Sequence, residues 1–544
     1  MWGRLLLKKN NRARSAVAVA PPSENPVLGN YYRSALSPKG RRRLLTGFVI
    51  LNFILGFFFA VLPDQSKAML TIPLFVMAGL IVWLLPETGK PPTAFLTKMF
   101  FGYFIALLLW PYYLAIQLPG APLIEIRRAF LFLGILAMLV SLSVSTKFIR
   151  EMKEIMAAAP TFFKILFGLI IAQTLSVVGA EDMPGAFSAY MRIQLACSVM
   201  LFMAIFVLSK PGRVAYFANM IRVVAVALGI IAVLEYENQG ILWANHIPSF
   251  LRVDDPAMTN LLDSAFRAGD YRVVGTFSVP LCYAEFMALT LPFFLHYILF
   301  GKNRLYKFIL LGCDALVITA ILLTQARVGI VGIMVTHGIY GFIWSIRFWR
   351  TNKDSLFGPA LALTYPVGLV FFALAMTFIG RLRGMWMGGA TEGASTLGRL
   401  AQAEKFPEVF VHRPLFGYGP SQGAKALNFR NPAGELSIDS GLLNIPLSYG
   451  AIGAALYFGM FIYMLIMGMK LAFNARDEEI SHAMPAAVAV AFWLVSRIVL
   501  AQDDNSSFMY MMLATLVALS YQQKKYAAGE SGTGGIMSLN VKPA

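Results

Sequence analysis

Charge is scarce in this sequence. Of its 544 residues only 14% are Asp, Glu, Lys or Arg, 58% are hydrophobic, and the mean hydropathy is +0.65. A soluble chain of this length needs far more charge to cover its surface, so a freely soluble enzyme is excluded. Cysteine is scarcer still: Cys197, Cys282 and Cys313 all fall inside apolar runs with no metal-like spacing. That pattern implies no disulfide framework and reads as small buried thiols. The five histidines are too scattered for a metal site, and neither HExxH nor CxxC occurs. No Walker loop and no GxGxxG is present, so the energy for any reaction comes from the substrate or from a gradient. The first residues, MWGRLLLKKNNRAR, have too short an apolar stretch for a cleavable signal peptide.

What the chain has instead is apolar runs, recurring from residue 44 to residue 521. Each is near the roughly 20 residues needed to cross a hydrocarbon core about 30 Å thick. Spans are expected at 44–62, 68–85, 99–118, 129–146, 161–179, 193–209, 215–235, 279–300, 306–324, 328–346, 358–380, 441–469, 484–501 and 507–521. This is an all-α polytopic membrane protein of about 14 transmembrane helices with two larger outer-face loops. Placing the N-terminus inside puts the basic groups around Lys39 to Arg43, Lys147 to Lys153, Lys210/Arg213, Lys302 to Lys307, Arg347 to Lys353, Lys470/Arg476 and Lys524/Lys525 on one side. That alternation follows the positive-inside rule, makes both termini cytoplasmic, and accounts for the net charge of +18 without nucleic acid. The organisation expected is a basic tail (1–43), an N-terminal bundle (44–235), an outer loop (236–278), central helices (279–380), a second outer loop (381–440), C-terminal helices (441–521) and a tail (522–544).

Long loops in a compact protein are usually functional. The second loop carries Arg381, Arg383, Arg399, Lys405, Arg413, Lys425 and Arg430, on a side where basic residues are expected to be few. One reading is a solvated loop of mixed charge. The other is a cationic site for an anionic headgroup, because the planar donor fork of arginine matches phosphate oxygens. Arg327, in LLTQARVGIVG, and Arg497, in FWLVSRIVLAQDD, lie at the outer ends of spans, where a charge faces a cavity, snorkels, or pairs with a neighbour such as Asp503 or Asp504. Arg222 is expected to snorkel, Glu285 to face the cavity or satisfy the bundle, and His296 and Asp314 to be structural. Within the loop, Ser395 or Thr396 is expected to cap a short helix, 397–406, that Pro407 ends. PLFGYG at 414–419 then supplies a Pro-fixed turn and two glycines, Gly417 and Gly419, that allow backbone to approach a ligand closely.

Four stretches, in order, resemble the O-antigen ligase and polymerase superfamily of bacterial membrane glycosyltransferases. They are RVVGTFSVPLCYAEFMAL from Arg272, LLTQARVGIVG, TLGRLAQAEKFPEVFVHRPLFGYGPSQGAKAL around Arg399, and DSGLLNIPLSYGAIG from Asp439. The resemblance covers roughly residues 215–470. Ala326 and Val328 replace the more usual Ser and Gly, and Ala403 stands where the family has Trp. Ligase-type members carry His near the position of Asp439, so the acid is more like exopolysaccharide polymerases. The resemblance implies the C-type membrane glycosyltransferase fold and an inverting, metal-independent polymerisation of undecaprenyl-diphosphate-linked repeat units on the periplasmic face of the inner membrane. It implies Asp439, Arg399 and Arg327 as catalytic residues. Arg272, Arg497, His412, Arg413, Gly417, Tyr418 and Gly419 are implied as substrate-binding, with His412 the rival base. No cofactor is expected; the partners are lipid-linked donor and acceptor, membrane lipid, a chain-length regulator and export machinery. The competing readings are a ligase acting on lipid A core, a lipid-linked glycan flippase or transporter, and a structural member of an envelope assembly.

Overall fold

The computed structural model describes residues 38–61, 77–116, 124–253, 266–267, 270–301, 303–378, 390–430, 436–475 and 477–532. Arg381, Arg383, Lys302, Arg476 and, of the terminal tails, residues 1–37 and 533–544 lie outside the described residues; residues 38–43 and 522–532, assigned above to the tails, are helical instead, continuing the apolar helices beside them. The chain divides into two units, residues 1–88 and 89–544. The first contains helix α1 (Pro38–Val61) and a helix over 77–84, with Phe53 and Phe57 of α1 pointing outward as lipid-facing side chains do.

The second unit is a helical bundle. Its helices are α2 (Thr93–Leu109), α3 (Ile126–Val144), α4 (Thr146–Ala157), α5 (Pro160–Val178) and α6 (Met183–Ile193), which passes through a π turn into α7 (Met200–Leu208). There follow α8 (Arg213–Asn238), α9 (Pro280–Phe300), α10 (Arg304–Leu323), α11 (Arg327–Thr351), α12 (Phe357–Phe378) and α13 (Ala390–Phe410). A short α14 (Gly423–Leu427), the long α15 (Gly441–Phe473), α16 (Glu478–Ser481), α17 (Ala483–Ser496) and α18 (Ser506–Gly532) complete it. Among the described residues nine helices are long and apolar enough to cross a membrane, against the fourteen spans read from the sequence. Helices also occupy most of the described parts of the other five stretches, but in 99–118 the helix ends at Leu109 and the chain turns into a strand. A polytopic helical membrane protein is the result, with two small sheets added: strands Leu114–Ile116, Ile124–Glu125 and Leu251–Val253 (β1, β2, β3) pair antiparallel in the order β2-β1-β3, and Phe266–Arg267 pairs with Asp270–Tyr271 (β4, β5).

Helix α9 is the buried axis, with Tyr283 to Phe294 enclosed on every side by α8, α10, α11 and α17. Lipid offers no hydrophobic drive between helices, so close van der Waals packing decides which faces meet. Gly329 and Gly332 of α11 let its backbone lie directly on Ala284 and Ala288 of α9. Buried polar groups are matched within the bundle. Arg222 does not snorkel: it is buried, its guanidinium 3.6 Å from the Tyr297 ring centroid, and it donates to the Tyr306 hydroxyl at 3.0 Å. His296 meets the Tyr340 hydroxyl at 2.9 Å, and His337 lies 3.3 Å from Asp314.

The loop helix is longer than its sequence suggests. It runs from Ala390 to Phe410, so neither Ser395 nor Thr396 is its cap and Pro407 lies inside it. Beyond it, PLFGYG is spliced into a break in α15. At Gly450 (φ +68°, ψ −174°) that helix leaves helical geometry. A straight helix would give the N–H of Ala451 to the Leu447 carbonyl and that of Ile452 to Ser448. Instead Leu447 accepts from Tyr418 (2.7 Å) and Ser448 from Gly419 (3.0 Å), while Ala451 and Ile452 donate to the Pro414 (2.7 Å) and Leu415 (3.4 Å) carbonyls. All four orphaned groups are thus satisfied by backbone of the same chain.

A side chain at Gly450 would collide with the Leu415 carbonyl and would also hold a positive φ, which costs about 1–3 kcal/mol for a non-glycine residue. Gly450→Ala should therefore lower the unfolding temperature of the detergent-purified protein, whereas Gly459→Ala, with open space around it, should not. An unchanged Gly450→Ala protein would show that the break is not held by this glycine.

Candidate active site

The chemistry-bearing residues collect at the end of the bundle that carries the second long loop, and buried acids build the scaffold. Glu235, at the close of α8, is fully buried. Its carboxylate accepts the N–H groups of Val274 and Gly275, both at 2.9 Å, and the Tyr271 hydroxyl at 2.8 Å. The Thr276 hydroxyl donates to the Leu108 carbonyl (2.5 Å), the Val273 N–H to the Leu323 carbonyl (3.3 Å), and the Ser278 hydroxyl to Asp504. Residues 271–278 are therefore laced to four separate elements. Arg272 stands in that segment, and its Nε donates to the Thr324 carbonyl at 2.9 Å. Thr324 lies in the turn between α10 and α11, three residues before Arg327, the first residue of α11. Arg272 is thus tied to the turn from which α11 starts at Arg327.

Asp439 and Arg399 are joined through α13. The buried Gln402 accepts the Asp439 N–H at 3.0 Å, and the Ser437 hydroxyl donates to the Asp439 carboxylate at 2.9 Å. Arg399 is three residues before Gln402, on the same face of that helix, and its Nε is buried without a hydrogen bond among the described residues.

Arg497 is buried and pairs with Glu285 rather than with Asp503 or Asp504. It also donates to the Gln502 carbonyl (2.8 Å) and lies 3.8 Å from the Trp493 ring centroid. Glu285 takes the Ser496 hydroxyl and the Asn505 amide (2.9 Å) as well. The expected Arg497 charge is present, but a carboxylate already matches it.

The remaining expected residues shape the loop. His412 is exposed, with Nδ1 2.8 Å from the Glu408 carbonyl. Arg413 donates to the Gly179 carbonyl, reaches Glu181 at 3.3 Å and covers the Tyr418 ring at 5.1 Å. The Tyr418 hydroxyl donates to the Val409 carbonyl at 2.8 Å. The close approach that Gly417 permits is to the Leu447 carbonyl and Gly450 of α15, and Gly419 is pressed against Ala180. Lys425 holds Asp182 at 3.0 Å; that hydrogen bond, with one from the Gly185 N–H, keeps the exposed Asp182 carboxyl below the usual carboxylate range.

A cavity of about 320 Å³ opens beside this scaffold, lined by Arg192, Asn444, Ser448, Tyr449, Arg497 and Asp503 among others. It reaches Gly441, two residues beyond Asp439. Asp503 lies deep among protein atoms yet presents surface to this space, and burial pushes its carboxyl up against the opposing pull of Arg497. Glu235, Gln402 and Arg192 went unread in the sequence, and Asp503 was noticed only as a partner for Arg497. The signal for Glu235 is an acid closing an apolar run, in AVLEYEN. Among the described residues no group of three His, Cys, Asp or Glu side chains is arranged to hold a metal ion.

Residues 312–458 match the family model described as O-Antigen ligase. The resemblance is to the O-antigen ligase and polymerase superfamily. The matched segment begins in α10 and ends in α15, so it takes in Arg327, Arg399, the PLFGYG splice and Asp439. Arg272, Arg497 and Asp503 lie outside it. None of the curated proteins matches the chain significantly. The match indicates a multi-pass membrane enzyme of the ligase or polymerase type, in polysaccharide biosynthesis.

Glu285→Ala should be severe, because it leaves a buried guanidinium uncompensated, at a cost of about 3–5 kcal/mol. Loss of folded protein on size exclusion, with Glu285→Gln intermediate, is the expected result; a normally folded Glu285→Ala protein would mean that Arg497 finds other relief. Asp503 has the opposite sign. Its pKa is raised on folding, so the folded state holds the proton more tightly and stability falls as pH rises from the unfolded value, near ~4, through the folded one. Asp503→Asn should remove that component, flattening the profile of unfolding temperature between pH 4 and 8.

Proposed function

We propose that this chain is an inverting glycosyltransferase that polymerises undecaprenyl-diphosphate-linked repeat units of a bacterial surface polysaccharide, either O-antigen or exopolysaccharide. It works on the periplasmic face of the inner membrane, with both termini cytoplasmic, beside a chain-length regulator and export machinery. The observation that supports the reading is that Arg272 is bonded to the turn that begins α11 at Arg327, while Asp439 is bonded to Gln402, three residues after Arg399 on α13.

The reaction needs three things. The bond between the sugar anomeric carbon and the phosphate oxygen breaks, and its electron pair leaves with the diphosphate. Fixed guanidinium groups stabilise that developing charge, and their planar forks match phosphate oxygens without the intervention of a metal. The acceptor hydroxyl attacks from the opposite face, inverting the anomeric centre, and its proton passes to a base. Asp439 is the base in this reading, oriented by Ser437 and by its own N–H on Gln402. A positioned base contributes roughly 10²–10⁴-fold. Arg497 shapes the adjoining cavity, and His412, Arg413, Gly417, Tyr418 and Gly419 set the loop against α15.

The test is glycan length on protein in nanodiscs supplied only with the lipid-linked repeat unit. Wild type should build a ladder. Arg399→Ala and Arg327→Ala should abolish it at normal protein level, and Arg327→Lys, a point charge in place of a fork, should be strongly impaired. Asp439→Ala should retain donor and lose about 10²-fold or more in rate. Substrate crossing the bilayer without a ladder would overturn the reading in favour of a flippase. Product formed only when lipid A core is supplied would make the enzyme a ligase.

A further inference from the structure

A second cavity, of about 680 Å³, lies against the first. Arg192, Ala196, Asp503 and Ser507 line both, so the two spaces share one wall. The larger is bounded by the turn after α2, the start of α3 and the 502–507 segment, and its lining includes Tyr112, Tyr113, Glu125, Arg127, Arg128 and Asp504.

The charges here are unequal in what they have left to give. Arg127 and Arg128 are both bound to the buried Glu125, at 2.8 and 2.5 Å, and Asp504 holds Ser278. Arg192 is different: among the described residues it makes no hydrogen bond, ion pair or ring contact. It stands at the end of α6, where the helix passes into the π turn Gln194–Val199, a kind of irregularity frequent at functional sites. An arginine nine residues into the apolar stretch Met183–Leu208, without a protein partner among the described residues and lining two cavities, has its donor fork ready for a ligand.

The opposite wall is aromatic and rigid. Tyr112 and Tyr113 stand edge to face at 5.6 Å, Arg127 covers Tyr112 at 5.4 Å, and the Trp243 Nε1 donates to the Tyr113 hydroxyl at 2.9 Å. Tyr113 is buried and holds Tyr112 in place, and the half-buried Tyr112, with one face under Arg127, presents its remaining ring surface among carboxylates and a guanidinium, which suits a sugar with C–H faces and a rim of hydroxyls.

On the transferase reading above, we propose that the larger cavity is a saccharide-binding subsite for the second glycan, with Arg192 and Asp503 standing where it opens onto the smaller cavity. A polymerase must hold two glycans with their reacting ends together, and two cavities with one shared wall supply that arrangement. Arg192 donates to hydroxyl or acidic groups of the bound sugar, and Asp503 accepts from its hydroxyls.

The test uses full-length protein in nanodiscs and two probes measured by native mass spectrometry. One is the lipid-linked oligosaccharide extracted from the producing cells; the other is undecaprenyl diphosphate bearing no sugar. The variants are Arg192→Gln and Tyr112→Leu. Because Tyr112 is packed against other rings, Arg192→Gln, at an exposed side chain without a protein partner, keeps the proposal testable if the tyrosine variant does not fold. Both variants should bind the oligosaccharide about tenfold or more weakly, as loss of a charge-assisted hydrogen bond predicts, and should bind undecaprenyl diphosphate as wild type does. A folded Arg192→Gln protein that holds the oligosaccharide normally, or that loses both probes equally, would overturn the subsite. The two readings fail separately. Variants that lose the sugar while wild type makes no polymer would keep the subsite and remove the polymerase. Wild-type polymer with normal binding by both variants would do the reverse.

Discussion

The end of this bundle that carries the second long loop is built around one buried ion pair. Glu285 of α9 and Arg497 at the end of α17 meet away from water, and the desolvation of two charges is repaid only when their remaining lone pairs and protons are also occupied. Ser496, Asn505 and the Gln502 carbonyl supply most of those partners, the Arg497 Nε alone of its donors being buried without a hydrogen bond among the described residues, and the Trp493 ring lies against the guanidinium. The pair therefore fixes three helices at once: α9, α17, and α18 through the segment that carries Asn505. Its reach extends further, because the Arg497 carbonyl accepts the Leu442 N–H in the first turn of α15. Where α15 begins decides where Asp439 stands, so a charge pair with no direct part in the proposed chemistry sets the position of the proposed base.

A second constraint acts on the same helix from the other direction. Backbone inside a membrane protein has few partners to spare, so a broken helix is stable only when something returns each lost hydrogen bond. The 414–419 turn does so at the Gly450 break, and the turn is in turn anchored by Arg413 and Lys425 to the segment joining α5 and α6. The loop is consequently fastened on two sides before any substrate enters. An electrostatic site gains from this, since dipoles and charges already fixed need no reorganisation as charge develops.

How far this was legible follows from how each residue does its work. Arg327 was readable because a charge beside an apolar run is costly in any fold and asks for a reason, and Arg399 because it stands in a basic loop stretch that carries the family resemblance. The bundle was readable because hydropathy is a local property, although the boundary of α13 was not: Pro407 sits within a helix that starts several residues earlier than its polar sequence suggests. Glu235 and Gln402 escaped because their importance is a matter of pairing. Glu235 is valuable for the N–H groups of Val274 and Gly275, 39 and 40 residues away, and Gln402 for that of Asp439, 37 residues away. Gly417 was rightly taken to mark a close approach, but the sequence could not say that the approaching partner is the broken helix itself.

Arg192 and Arg497 together give a criterion for separating structural from functional arginines at this surface. Both line the smaller cavity. Arg497 is matched by a carboxylate, a carbonyl and an aromatic ring, so an arriving anion would have to compete with Glu285 for it. Arg192 has no such competitor among the described residues. Arg192 is exposed, so its charge costs the fold little; what sets it apart is that no protein group among the described residues competes with a ligand for its donors. By the same measure Arg127 and Arg128, bound to Glu125, serve as walls. The chemistry of the site is thus set less by how many arginines it holds than by which of them the protein has left unmatched.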